Sequence, residues 1–158
     1  MKTKMNNLDY VEEYDKLKTK VLKYIIYKKR TEKEIRQKFS KTIDEDILED
    51  IIDELKENGY IDDLNYIDRA VNEFVALKNL SIREIKYKLF AKGLSNDIID
   101  EYISSNFDEL MEYEIKSAKN IIIKKQSMQE NEEIKQGLLK KGYIAENVKE
   151  AFNEVERD

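Results

Sequence analysis

A short pattern, isoleucine followed four residues later by a second large apolar side chain, occurs three times in this chain at nearly constant spacing. Arg30–Phe39 reads RTEKEIRQKF, Leu80–Leu89 reads LSIREIKYKL, and Glu130–Leu138 reads ENEEIKQGL. Ile35, Ile85 and Ile134 are separated by fifty and then forty-nine residues. A fixed period of this size marks stacked supersecondary units that bury part of their apolar surface on neighbours. A longer apolar-periodic stretch precedes each copy, at about 17–29, 63–78 and 107–125, and another follows, at about 44–57, 96–104 and 146–156.

The periodicity is helical throughout. Ile47, Leu48, Ile51, Ile52 and Leu55 form one stripe; Leu64, Ile67, Val71 and Phe74 a second; Val148, Ala151, Phe152 and Val155 a third. Proline is absent and only four glycines occur in 158 residues, so little interrupts a helix. Thr31-x-x-Glu34 and Ser81-x-x-Glu84 have the spacing of capping boxes, whereas the third copy lacks one. Gly93 and Gly142 supply a left-handed residue after the repeated helix; the first copy has Lys41-Thr42-Ile43 there and must turn without glycine. The chain is therefore expected to be all-α: three tandem three-helix repeats in an elongated array. The expected divisions are an extension over 1–15 and repeats over 16–60, 61–105 and 106–158.

The inventory of side chains excludes most enzyme classes. There is no histidine or cysteine, hence no imidazole acid–base chemistry, thiol nucleophile, disulfide or ordinary zinc site. No glycine-rich phosphate loop is present, and no nucleophile has a recognisable base. A non-enzymatic binding protein without cofactor or metal is expected. The N-terminus lacks the apolar run of a signal peptide, and runs such as Ile121–Ile123 are far below spanning length, so a cytoplasmic location is expected.

Charge is segregated. Lys16–Lys41 holds eleven Lys and Arg against Glu32 and Glu34, while Asp44–Glu73 holds twelve acids against Lys56 and Arg69. The basic stretch nominates Lys28, Lys29, Arg30, Lys33, Arg36 and Lys38, with Lys41 beside them, for contact with phosphates or an acidic surface. The second copy repeats the pattern with Lys78, Arg83, Lys86, Lys88 and Lys92, and Tyr87 between Lys86 and Lys88 is the tyrosine best placed to stack on a base. The opposing reading is a solvated helix face neutralised by the acidic helix that follows. Gly59-Tyr-Ile-Asp-Asp63 reads mainly as punctuation: Gly59 ends a helix, Asp62 or Asp63 caps the next, and Tyr60 and Ile61 pack.

Taken in order, Arg30-Thr-Glu-x-Glu-Ile-Arg-x-Lys-Phe39, Gly59-Tyr-Ile-Asp-Asp63, Tyr66, Ser81-x-x-x-Ile85, Leu89 and Lys92-Gly93-Leu94 resemble the RecX family, regulators of the RecA recombinase. The resemblance covers nearly the whole chain from about Lys16, is strongest between Lys28 and Ile103, and weakens in the last repeat. It implies a curved array lying in the groove of a RecA filament on single-stranded DNA and restraining recombinase activity in DNA repair, recombination and the SOS response. The net charge of −5 departs from the basic character of many relatives, so direct DNA contact is expected to be weak. A helix-turn-helix DNA-binding protein and a generic helical adaptor are the alternatives. The first is disfavoured because its recognition helix would carry eight acids, from Asp44 to Glu57, against Lys56 alone.

Overall fold

The structure, a computed structural model, describes residues 7–158. These fold into nine α-helices and no strand: α1 Asn7–Tyr27, α2 Glu32–Phe39, α3 Glu45–Glu57, α4 Asp63–Leu77, α5 Ile82–Ala91, α6 Asn96–Ser105, α7 Phe107–Lys125, α8 Asn131–Lys140 and α9 Ala145–Arg157. Each successive set of three opens on its longest helix, as the repeat requires. Helix α1 differs from expectation, beginning ten residues before Leu17. Its added turns carry Tyr14, whose hydroxyl donates to Glu54 Oε2 at 2.6 Å, and Lys18 pairs with the same carboxylate at 3.0 Å. Residues 1–6 lie outside the described chain.

Local chemistry sets the helix ends. Both capping boxes form: Thr31 and Ser81 accept the amides of Glu34 and Glu84, whose carboxylates accept the cap amides in return. Helix α8 starts after Glu130 with no side-chain cap. After α5 the Leu94 amide donates to Leu89 O and Gly93 to Phe90 O; after α8 Tyr143 donates to Leu138 O and Gly142 to Leu139 O. These are paired bonds of a Schellman end, with φ +97° at Gly93 and +95° at Gly142. The first copy closes differently. Thr42 and Ile43 both donate to Phe39 O, and no non-glycine residue has positive φ among the described residues.

The described chain forms two compact units, one ending at Tyr66 and one from Ile67 to Asp158. The core of the first is built from α1, α2 and α3, with Val21, Ile35, Ile51 and Ile52 fully buried and Ile61 packed among them. Tyr60, expected to pack, is 48% exposed. The Schellman bond that turns the chain at Gly59 sends Ile61 inward and leaves its neighbour outside. Asp62 and Asp63 divide the capping work. Asp62 accepts the Asn65 amide and starts α4, while Asp63 reaches back to accept the Glu32 amide of α2 at 3.0 Å. Burial pushes the Asp63 carboxyl above its usual range, against the pull of that amide.

In the second unit Ile67 and Val71 of α4 are buried; Leu64, on the first turn of that helix and within the first unit, is 65% exposed. Helix α7 is the spine. Leu110, Ala118 and Ile122 are buried along it, and α9 lies against it. The start of α5 is tied to this spine and to the turn after α8 by buried polar groups. Tyr113 OH accepts the Leu80 amide at 3.0 Å and donates to Lys78 O at 2.6 Å. Ser81 Oγ donates to Lys141 O at 2.8 Å, and Glu114 Oε1 accepts the Ile144 amide at 2.6 Å. The second and third repeated helices thus share one polar frame.

Candidate functional site

The cations named from the sequence fall on two helix-start regions, one in each unit. In the first unit Lys28, Lys33 and Lys38 are exposed on and before α2, and Lys29 donates to Asn65 Oδ1 at 2.7 Å. The Arg30 guanidinium lies 4.3 Å from the Tyr24 ring centre and the Lys38 ammonium 5.7 Å from it. Tyr24 is itself held edge-on by Phe39 at 5.5 Å. One ring therefore gathers two cations through its negative face, and Arg30 Nε is buried there without a hydrogen-bond partner. Tyr24 also packs against the core of the first unit.

Arg36 is placed otherwise. It donates to both carboxylate oxygens of Glu49, at 2.6 and 2.9 Å, and to Glu32 at 3.3 Å, while Lys56 also pairs with Glu32. The hydrogen bonds from Glu49 hold the guanidinium even further above its ordinary range, and Arg36 holds the Glu49 carboxyl below the usual carboxylate range. Burial alone would raise Glu32, but Lys56 and Arg36 bring it below its usual value. In this network the basic face is neutralised by the acidic helix that follows. Lys86 behaves similarly, pairing with Asp100 of α6 at 3.2 Å.

The second unit holds the more concentrated feature. Lys78 at the end of α4, Arg83, Lys88 and Lys92 on and after α5, and Lys140 and Lys141 at the end of α8 line one groove of about 640 Å³. Its aromatic members are Phe74 and Tyr87, the latter 75% exposed. Its sole lining carboxylate, Glu84, is engaged in the Ser81 cap. Among the described residues, Lys78, Arg83, Lys88, Lys140 and Lys141 form no ion pair. Five residues expected from the sequence (Lys78, Arg83, Tyr87, Lys88 and Lys92) are thus brought together. Phe74, Lys140 and Lys141 were missed as members. The available signal was the third copy itself, where Lys140-Lys141-Gly142 stands at the place of Lys92-Gly93.

Among the described residues no group of acids, histidines or cysteines could hold a metal ion, and no helix is long and apolar enough to cross a membrane.

No family model matches the chain. It is 38% identical over 92 residues to the regulatory protein RecX of Finegoldia magna, covering 58% of this chain and 45% of that one. It is 35% identical over 155 residues to the regulatory protein RecX of Clostridium tetani, covering 91% and 69% respectively. The chain thus spans under half of the length of the first of these relatives and about two thirds of the second. The crystal structure of RecX from Lactobacillus salivarius superposes with a TM-score of 0.78 at 25% identity, over 94% of this chain and 99% of that one. With 91% of this chain aligned to the clostridial relative at 35% identity and the same helical fold, the chain belongs to the RecX family of regulatory proteins.

Proposed function

We propose that this chain binds RecA nucleoprotein filaments and restrains their activity, using the basic faces of its repeated second helices. Membership in the RecX family of regulatory proteins supports this choice of partner. The observation that supports the mode of binding is the recurrence of basic residues at the repeated helix starts: Lys28, Lys33 and Lys38, exposed in the first unit, and the six-cation groove in the second. Several modest contacts on one chain become strong only when their targets are held at matching spacing, and a filament supplies that spacing where a free subunit does not. Attachment along a filament would hinder entry of a second DNA and resist subunit rearrangement, which is how binding becomes restraint.

The helix-turn-helix alternative has α3 as its reading helix. That helix presents Glu45, Asp46, Asp50, Asp53 and Glu57 to solvent, a surface a nucleic acid repels. The test is parallel titration of the protein against RecA filaments, free RecA and naked DNA, with filament ATP turnover followed alongside. Preferential binding to filaments with reduced turnover is expected. Equal affinity for all three targets, or turnover unchanged at saturation, would refute the proposal.

A further inference from the structure

We infer that Lys135 on α8 and Lys149 on α9 receive a carboxylate side chain of a protein partner, at a position where the other two copies supply that carboxylate themselves. The three copies correspond residue by residue here. Ile35, Ile85 and Ile134 are buried at one place on the second helix, so Arg36, Lys86 and Lys135 follow at a common position. On the third helix the amides of Leu48, Ile99 and Val148 donate to the carbonyls of the capping residues Asp44, Ser95 and Ile144, and all three side chains are buried. The next residue is Glu49 in the first copy, Asp100 in the second and Lys149 in the third.

Two copies close this position internally. Arg36 donates to both Glu49 oxygens at 2.6 and 2.9 Å, and Lys86 pairs with Asp100 at 3.2 Å. The third copy puts a second cation where the acid stands. Lys135 and Lys149 are both exposed, and among the described residues neither forms an ion pair. The other acid that holds Arg36 is missing as well: Glu32 corresponds to Asn131, whose Oδ1 accepts from Gln126 at 3.3 Å. Neighbouring acids do not take its place. Glu132 accepts from Gln136 at 3.1 Å, Glu150 pairs with Arg157 at 3.8 Å, and Glu146 and Glu156 form no ion pair among the described residues. A helix pair that seats a cation–carboxylate bond twice offers the same seat to an acid from outside, with two ammonium donors instead of one. The two filled copies hold carboxylates, which is why the occupant is an Asp or Glu side chain. Charge pairs at the rim of an interface set orientation and association rate more than affinity, so this contact would fix how the third repeat lies on an acidic partner surface. The inference rests on the filament reading for the identity of the partner, not for the site.

The experiment uses the whole chain. Lys149→Glu and Lys135→Glu each set one acid against one lysine, so each should raise Tm by about 1–4 °C, the worth of an exposed ion pair in a chain of this size. The double reversal sets two acids together and should lose the gain. Lys23→Glu makes the same change of net charge on the exposed surface of α1 and should show no such gain. Occupancy is read with a carbodiimide, which joins a lysine amine to a contacting carboxylate as an amide and takes up the released water as a urea. Coupling is mapped by mass spectrometry against a capped triglutamate peptide and against RecA filaments. With both targets it should concentrate at Lys135 and Lys149. In Lys149→Glu it should fall about 3- to 30-fold at Lys135, which should couple within the chain to the new acid instead. Reversals that leave Tm where Lys23→Glu leaves it, or coupling spread evenly over the exposed lysines, would overturn the inference while filament binding stands. Filaments that fail to bind would sink the filament reading, and the peptide arm then decides this one alone. A thymidine oligonucleotide that blocks coupling at the two lysines better than polyglutamate of equal charge would show a phosphate occupant and overturn it as well.

Discussion

Replacing Glu114 with alanine should loosen the second unit more than any surface change, and the size follows from its surroundings. The side chain is fully buried on α7, and its Oε1 accepts the Ile144 amide at the start of α9 at 2.6 Å. Alanine leaves that buried amide without an acceptor, a loss of about 1–3 kcal/mol, and removes one buried methylene worth about 0.8 kcal/mol. Relief of a buried carboxylate whose other oxygen has no hydrogen bond offsets part of this, so a net loss of about 2–3 kcal/mol is expected. Burial pushes the Glu114 carboxyl above its usual range, against the donors of Ile144, Ile82 and Asn147. The folded state therefore holds this proton more tightly than the unfolded state. The resulting stability is present below the ordinary carboxyl pKa of 4.5 and is lost as pH rises through the raised folded value. Glu114→Gln keeps an acceptor and cannot ionise, so it should remove this component of the pH dependence. Urea unfolding followed by helical circular dichroism across pH, with amide exchange at Ile144, measures both effects. An alanine variant within about 0.5 kcal/mol of the parent, with Ile144 still protected, would refute this role.

Asp63→Ala should destabilise the first unit by about 0.5–2 kcal/mol, because the Glu32 amide loses its cap; amide exchange at Glu32 would report it directly. Ile35→Ala and Ile85→Ala should each cost about 2–5 kcal/mol in denaturant unfolding, since both side chains are fully buried. Tyr102, pushed up to about 12 by burial and by its bond to Asp68, should ionise above the ordinary phenol range in an alkaline absorbance titration. The stability it contributes is present below the ordinary phenol pKa of 10.0 and is lost as pH rises through about 12. Tyr102→Phe should remove that alkaline step.

Much of the fold was readable because each signal was local. The Ile35, Ile85 and Ile134 pattern, two capping boxes and two turn glycines specify helix starts, stripes and ends within a few residues of chain. The start of α1 was not readable in the same way. Its first turns are mostly exposed and polar, and their anchor is Glu54, forty residues away from Tyr14. The same holds for Asp63: its sequence position predicts a cap for its own helix, but its partner is the amide of Glu32 on another. The candidate site divides along this line. Basic residues on α2 and α5 were visible as a charge pattern, whereas partner choice depends on rotamer and distance. That is why Arg36 and Lys86 turn out paired, and why Lys140 and Lys141 join a groove whose other members lie more than forty residues earlier.

The central claim is multivalent binding to a filament through basic faces in both units, and unit-by-unit charge reversal measures it most directly. One variant carries Lys28, Lys33 and Lys38 changed to glutamate, a second carries Lys88, Lys140 and Lys141 changed likewise, and a third carries both sets. Exposed charges change stability by under about 0.5 kcal/mol each, so the fold should persist and can be verified by helical content. The account predicts that either set alone lowers filament affinity steeply, with weaker salt dependence, while affinity for free recombinase falls far less. Filament affinity unchanged in the doubly reversed variant, or equal losses for filament and free subunit in every variant, would contradict it.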